Sequence, residues 1–122
     1  MRTTDIQRVA QLAQLNVGPV VEMSRGTLEW QITIPVDGRL GCDGIAPSVI
    51  QWKGEIHPAS RLSDSNISLV RLEARHPQAR KINDWLANAG FEGTLNLQAP
   101  ADGTSIEFTA LLQTPKGVVR FC

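Results

Sequence analysis

NISLVRLEARHPQARKINDWLANAG, residues 66–90, changes its apolar period from two to about 3.6 within one stretch, and that change decides the fold. Before the change, Val70, Leu72 and Ala74 alternate with Leu69, Arg71 and Glu73, as a strand with one apolar face requires. After it, Pro77 opens a helix whose Ala79, Ile82, Trp85, Leu86 and Ala89 fall on one stripe, and Gly90 ends it. The opposite face carries Arg80, Lys81, Asn83, Asp84 and Asn88. This is a one-sided helix lying on a sheet, and Trp85 belongs to its core stripe, not to a ligand platform.

Downstream, residues 105–113 alternate again, Ile106, Phe108, Ala110 and Leu112 opposing Ser105, Glu107, Thr109 and Gln113, with Leu111 the exception. Thr114-Pro115-Lys116-Gly117 has Pro and Gly where a tight turn wants them, so the last two strands form a hairpin. Residues 66–122 thus read as strand, helix and three strands. Upstream, residues 4–53 repeat this order without the first strand. Asp5-Ile6-Gln7-Arg8 heads a helix as His76–Arg80 does, Glu29-Trp30 opens an alternating run ending at Pro35 as Glu107-Phe108 does at Pro115, and Val49–Trp52 is echoed by Val118–Phe121.

In the first copy, Thr4 and Gln7 have capping-box spacing. Ile6, Val9, Ala10, Ala13 and Val17 share one arc up to the stop at Gly18-Pro19. Leu15 points away from that arc; a lone exposed leucine is the plainer reading, a covered dimer contact the other. Over 27–35, Leu28, Trp30, Ile32 and Ile34 form the face expected under the helices. Residues 36–47, rich in glycine and bracketed by prolines, read as a mobile excursion, and 54–65 cross between the copies.

The chain has 122 residues, about one domain, and needs neither metal nor disulfide to fold. Twelve basic and twelve acidic side chains cancel without a basic cluster, which argues against nucleic acid or an anionic membrane as partner. Cys42 and Cys122 lack redox or zinc spacing and read as free thiols. With no signal-peptide core and no stretch near the roughly 18 apolar residues of a membrane span, a cytoplasmic location is expected.

GCDGIAPSVIQW (41–52), HPASRL (57–62) and NISLVRLEARHP (66–77), with MSRGTLEWQITIP (23–35), resemble the glyoxalase-like domain family of the vicinal oxygen chelate superfamily. The resemblance implies an α+β fold of βαβββ repeats whose first copy lacks its leading strand, αβββ–βαβββ. It makes 1–122 one domain, an incomplete module at 4–53 and a complete one at 66–122. Family members are usually longer, with a further module upstream. An absent strand leaves a sheet edge open, so a homodimer through or around that edge is expected.

Metal-dependent members of the superfamily draw His or Glu from a module's first strand and Glu from its last. Those positions hold Leu69, Gln51 and Arg120 here, so no superfamily-type metal site and no cofactor are expected. His76 reads as a helix-start cap and His57, in the crossover, as structural before ligating.

With Trp30 and Val70-Leu72-Ala74 under the helices, pleating sends Glu29, Gln31, Thr33, Gln51, Leu69, Arg71, Glu73, Glu107, Thr109 and Arg120 to the other side. One reading is a solvated face with Arg71 or Arg120 paired to Glu107; the other is a binding cleft. Three functions follow in order of support. The first is a non-metal small-molecule-binding or sequestering protein, with Gln51, Arg71, Arg120, Glu29, Glu107, Trp52 and His57 around the ligand. The second is an interaction module that completes its open edge with a partner. The third is a lyase, isomerase or dioxygenase with Glu29 or Glu107 as general base and a metal held in some altered way. No catalytic constellation stands out.

Overall fold

A computed structural model describes residues 1–55 and 57–122 of the chain. The elements run α1 (Ile6–Ala10), β1 (Val20–Arg25), β2 (Leu28–Thr33), β3 (Ile50–Trp52), β4 (Ser68–Arg75), α2 (Ala79–Asn88), β5 (Leu95–Gln98), β6 (Glu107–Thr114) and β7 (Gly117–Phe121). The fold is α+β with two small sheets. One is antiparallel, in the order β1-β2-β3; the other is mixed, in the order β5-β4-β6-β7, with β5 parallel to β4.

The second half follows its sequence pattern closely. α2 buries Ala79, Ile82, Trp85 and Leu86, with Ala89 just beyond it and Gly90 turning the chain out at a φ of 73°. Burying side chains of the size of Ile82, Leu86 and Trp85 contributes roughly 1.5–3 kcal/mol each, which far exceeds the propensity of a ten-residue helix. Asn83 Nδ2 donates to the Leu97 carbonyl at 3.0 Å and ties the helix to β5. The β6–β7 hairpin closes with Thr114 opposite Gly117.

The first half departs from its pattern in four ways. α1 stops at Ala10, not Val17, and its cap is Asp5, which accepts the Arg8 N–H at 3.1 Å, in place of Thr4. Beyond Ala10 the chain leaves the helix and carries Leu15 inward, where it is 6% exposed in a core with Ile6, Val9, Val17, Ile45, Val49, Trp85 and Leu97. Leu15 therefore offers nothing to a dimer.

The sheet sides are also reversed. Thr33 is 0% exposed, and its Oγ1 accepts the Val49 N–H at 2.9 Å. The Gln51 side chain, on the same face by register, accepts the Ile6 N–H at 2.8 Å. α1 thus lies over the Thr33–Val49–Gln51 face, while Trp30, Ile32, Ile50 and Trp52 stand half-buried on the other, beside the exposed Met23 and Ile34. A helix with only Ile6 and Val9 to bury finds its match in the small patch around Val49, not in a wall of tryptophans.

Thirdly, the loop 36–47 is pinned. Its 3-10 turn Gly41–Gly44 holds Cys42 and Asp43 at positive φ, 48° and 54°, and Asp43 meets the buried His76 at 3.1 Å. Ile45 and Ala46 then enter the core. Lastly, β1 and β2 form a direct hairpin through Gly26-Thr27, so no strand lies between them as β4 lies between β5 and β6. Residues before Thr4 pair at β3 instead: Arg2 bridges Ile50 in parallel, with the Thr3 N–H on the Ile50 carbonyl at 2.9 Å and the Ile50 N–H on the Met1 carbonyl at 2.8 Å. Gly18, at φ 87°, leads the chain into β1 against the backbone of Ile34 and Pro35, where any Cβ would collide.

Candidate functional site

The open polar face belongs to the four-stranded sheet. Ladder register sets Glu73 opposite Thr109 and Asn96, and Arg75 opposite Glu107 and Gln98, while Arg120 on β7 lies opposite Leu111 on the same face. Period-two pleating sends all of these side chains away from α2, because their neighbours Ala74 and Leu97 are buried beneath it. Glu73, Arg75, Asn96, Gln98, Glu107, Thr109 and Arg120 line a concavity of about 250 Å³.

Its charges are arranged in two groups. Glu73 receives Arg71 Nε at 2.7 Å and lies 3.9 Å from Arg120 Nη1, whose Nη2 donates to the buried Thr109 hydroxyl at 3.4 Å. Glu107 pairs with Arg75 at 3.4 Å. The expected partners of Arg71 and Arg120 are thereby corrected from Glu107 to Glu73. Arg71 and Glu73 are two apart on one strand and share a face, whereas Arg75 stands directly across from Glu107. The lining of the concavity balances, Arg75 and Arg120 against Glu73 and Glu107, and Arg71, outside that lining, adds one positive charge to the face. The Arg120 side chain is 63% exposed, and an ion pair this open is worth about 0–1 kcal/mol.

The other expected site residues lie elsewhere. Trp52 packs against Trp30 at a tilt of 46° with centroids 5.2 Å apart and meets His57 in an edge-on contact at 5.7 Å, on the half-open face of the three-stranded sheet. His57 Nδ1 accepts the Ala59 N–H at 3.1 Å and caps the 3-10 turn Pro58–Arg61. Glu29 is exposed on the opposite face of that sheet, where Gln51 holds α1. His76 is buried, its Nδ1 accepting the Gln78 N–H at 3.0 Å at the start of α2. Arg75, Asn96 and Gln98 join the site in addition to the residues expected from the sequence. The period that selects Arg71 and Glu73 also selects Arg75, and the short alternation Leu95-Asn96-Leu97-Gln98 of β5 carries the two amides in the same way.

A metal of the superfamily type does not fit these residues. Leu69 has no donor atom, the Gln51 oxygen is occupied by the Ile6 N–H, and Arg120 adds a cation where a cation would sit. Among the described residues, no three His, Cys, Asp or Glu side chains gather. No described helix is long and apolar enough to cross a membrane.

A mixed sheet with one apolar face partly covered by α2 and one open polar face, joined to a second small sheet, makes this an α+β domain. The model of the glyoxalase-like domain matches residues 1–90 of the 122, and the chain belongs to that family, consistent with the vicinal oxygen chelate superfamily. The match takes in β4 and α2 and stops before β5. Neither curated proteins nor solved structures give a match.

Proposed function

We propose that this glyoxalase-like chain is a small-molecule-binding protein that holds a small anionic or zwitterionic ligand on the polar face of β4, β5, β6 and β7 without using a metal. The reading rests on one observation: Arg75 and Arg120 face one concavity alongside the Asn96 and Gln98 amides and the Thr109 hydroxyl. Guanidiniums offer forked donors to a carboxylate or phosphate, the amides offer both donors and acceptors, and Glu73 and Glu107 receive an ammonium or hydroxyl at the other end. A space of about 250 Å³ suits a metabolite smaller than the usual drug-sized ligand. Of the residues picked from sequence, Arg71, Arg120 and Glu107 serve this site; Gln51, Glu29, Trp52 and His57 stand outside it. In this reading 1–122 acts as one domain, an incomplete module at 4–53 supporting a binding module at 66–122.

Thermal-shift and calorimetric titration with malonate, inorganic phosphate and small amino acids test it. Stabilisation by at least one of them is expected, rising with concentration as mass action requires. Arg120→Ala removes a charge-assisted contact worth about 1.5–3 kcal/mol, a loss of roughly 10- to 150-fold in affinity. No stabilisation by any compound, or equal binding by the variant, overturns the proposal.

A further inference from the structure

The reverse side of the same strands is apolar and half bare. Register places Phe108, Ala110 and Leu112 of β6 on the face of Leu72 and Ala74, and Val119 and Phe121 of β7 on that face too. α2 packs over β5 and the near part of β4, with Leu97 and Ala74 beneath it, and leaves β6 and β7 uncovered. Phe108 is 47% exposed, Val119 46% and Phe121 69%. Single exposed apolar side chains are ordinary, but three large ones together on two neighbouring strands form a patch.

The chain exposes 8370 Å² in all, whereas a compact monomer of 13.3 kDa exposes about 6,500 Å², so it carries roughly 1,900 Å² of surface beyond that of a compact monomer. A standard interface needs about 800 Å² from each partner, which is well within that surplus. With twelve basic and twelve acidic side chains, two copies meet without net repulsion. A sheet face is also suited to packing on its own image, about 10 Å away, in an isologous two-fold contact.

We propose that a second copy of this chain covers the bare apolar face of β6 and β7, with Phe108, Val119 and Phe121 at the centre of the interface. Association thus runs through a sheet face and not through the strand edge where Arg2 meets Ile50. It leaves the polar concavity open, because Arg120 and Phe121 point to opposite sides of β7. Dimerisation and ligand binding therefore fail independently.

Sedimentation velocity on the whole chain over a dilution series tests this. The wild type is expected to sediment as a dimer. Phe121→Glu with Val119→Lys is expected to raise the dimer dissociation constant at least about 100-fold by placing charge in a desolvated centre. Met23→Glu, on the three-stranded sheet, is expected to leave the dimer intact. A wild type that is monomeric throughout, or a dimer that persists unchanged in the folded Phe121→Glu, Val119→Lys variant, overturns the proposal. If the double variant does not fold, hydrogen exchange of the wild type decides: amides of Gly117–Phe121 exchange faster on dilution if the interface is there, and at an unchanged rate if it is not.

Discussion

Replacing Gln51 by Leu separates a structural role from a ligand-holding one at a position where the family resemblance implies a chelating residue. In this chain the Gln51 side-chain oxygen accepts the Ile6 N–H at 2.8 Å, and Ile6 is 1% exposed. Leucine keeps most of the volume and removes the acceptor, so the first N–H of α1 is left buried without a partner. Such an orphan costs about 1–3 kcal/mol. Unfolding entropy scaled to this length converts that to a fall in melting temperature of roughly 4–12 °C. Gln51→Glu retains an acceptor at the same reach and is expected to stay within about 0.5 kcal/mol of wild type. Urea titration with the transition slope held as a check gives the difference directly. A Gln51→Leu variant as stable as wild type, or a Gln51→Glu variant as damaged as it, refutes the capping role. Neither variant is expected to change anion affinity.

Three further outcomes follow from particular residues. Gly18→Ala forces a Cβ into the Ile34–Pro35 backbone at a φ of 87°, so a loss above about 2 kcal/mol is expected in chemical denaturation, and a loss near zero would contradict the close passage. Thiol titration should show one fast and one slow cysteine: Cys122 is exposed, whereas Cys42 donates to Gln78 at 3.4 Å and burial pushes its thiol pKa up. Equal rates would be inconsistent with that packing. Asp102 accepts from the Ser105 hydroxyl and from the Ser105 and Thr104 N–H groups, which lowers its carboxyl to about 2 from the usual 3.8. A depressed folded value means its contribution is full above pH 3.8 and fades as the pH falls toward 2, so carbon-detected NMR should place its midpoint near 2, and a midpoint at the ordinary value would discard these contacts.

What could be read from residue order alone was local and periodic. The α2 stripe, the Pro115–Gly117 turn and the polar period of Arg71 and Glu73 each depend on neighbours a few positions away, and each is found in place. Long-range choices were not legible. Alternation separates Trp30 and Ile32 from Gln31 and Thr33, but nothing in the period states which side receives a helix; α1 lies on the polar side, where Ile6 and Val9 share the core with Val49, and Gln51, 45 residues on, accepts the Ile6 N–H. The apolar arc through Val17 suggested a longer helix, since a loop that delivers Leu15 and Val17 to the core buries the same residues. The family of the chain was legible in its motifs. The polar site was legible only as a face, because the pairing of Arg75 with Glu107 and of Arg120 with Glu73 depends on how β4, β6 and β7 align.

The central claim, a glyoxalase-like fold that binds a small anion on strands lacking the chelating set, is tested most directly by following backbone amides in a two-dimensional NMR titration with malonate and with inorganic phosphate. Saturable shifts at Glu73–Arg75, Asn96–Gln98, Glu107–Thr109 and Arg120, lost in Arg120→Ala, are the predicted result. Saturable shifts confined to the Trp30–Trp52–His57 region, or no saturable shift with either anion, would contradict it.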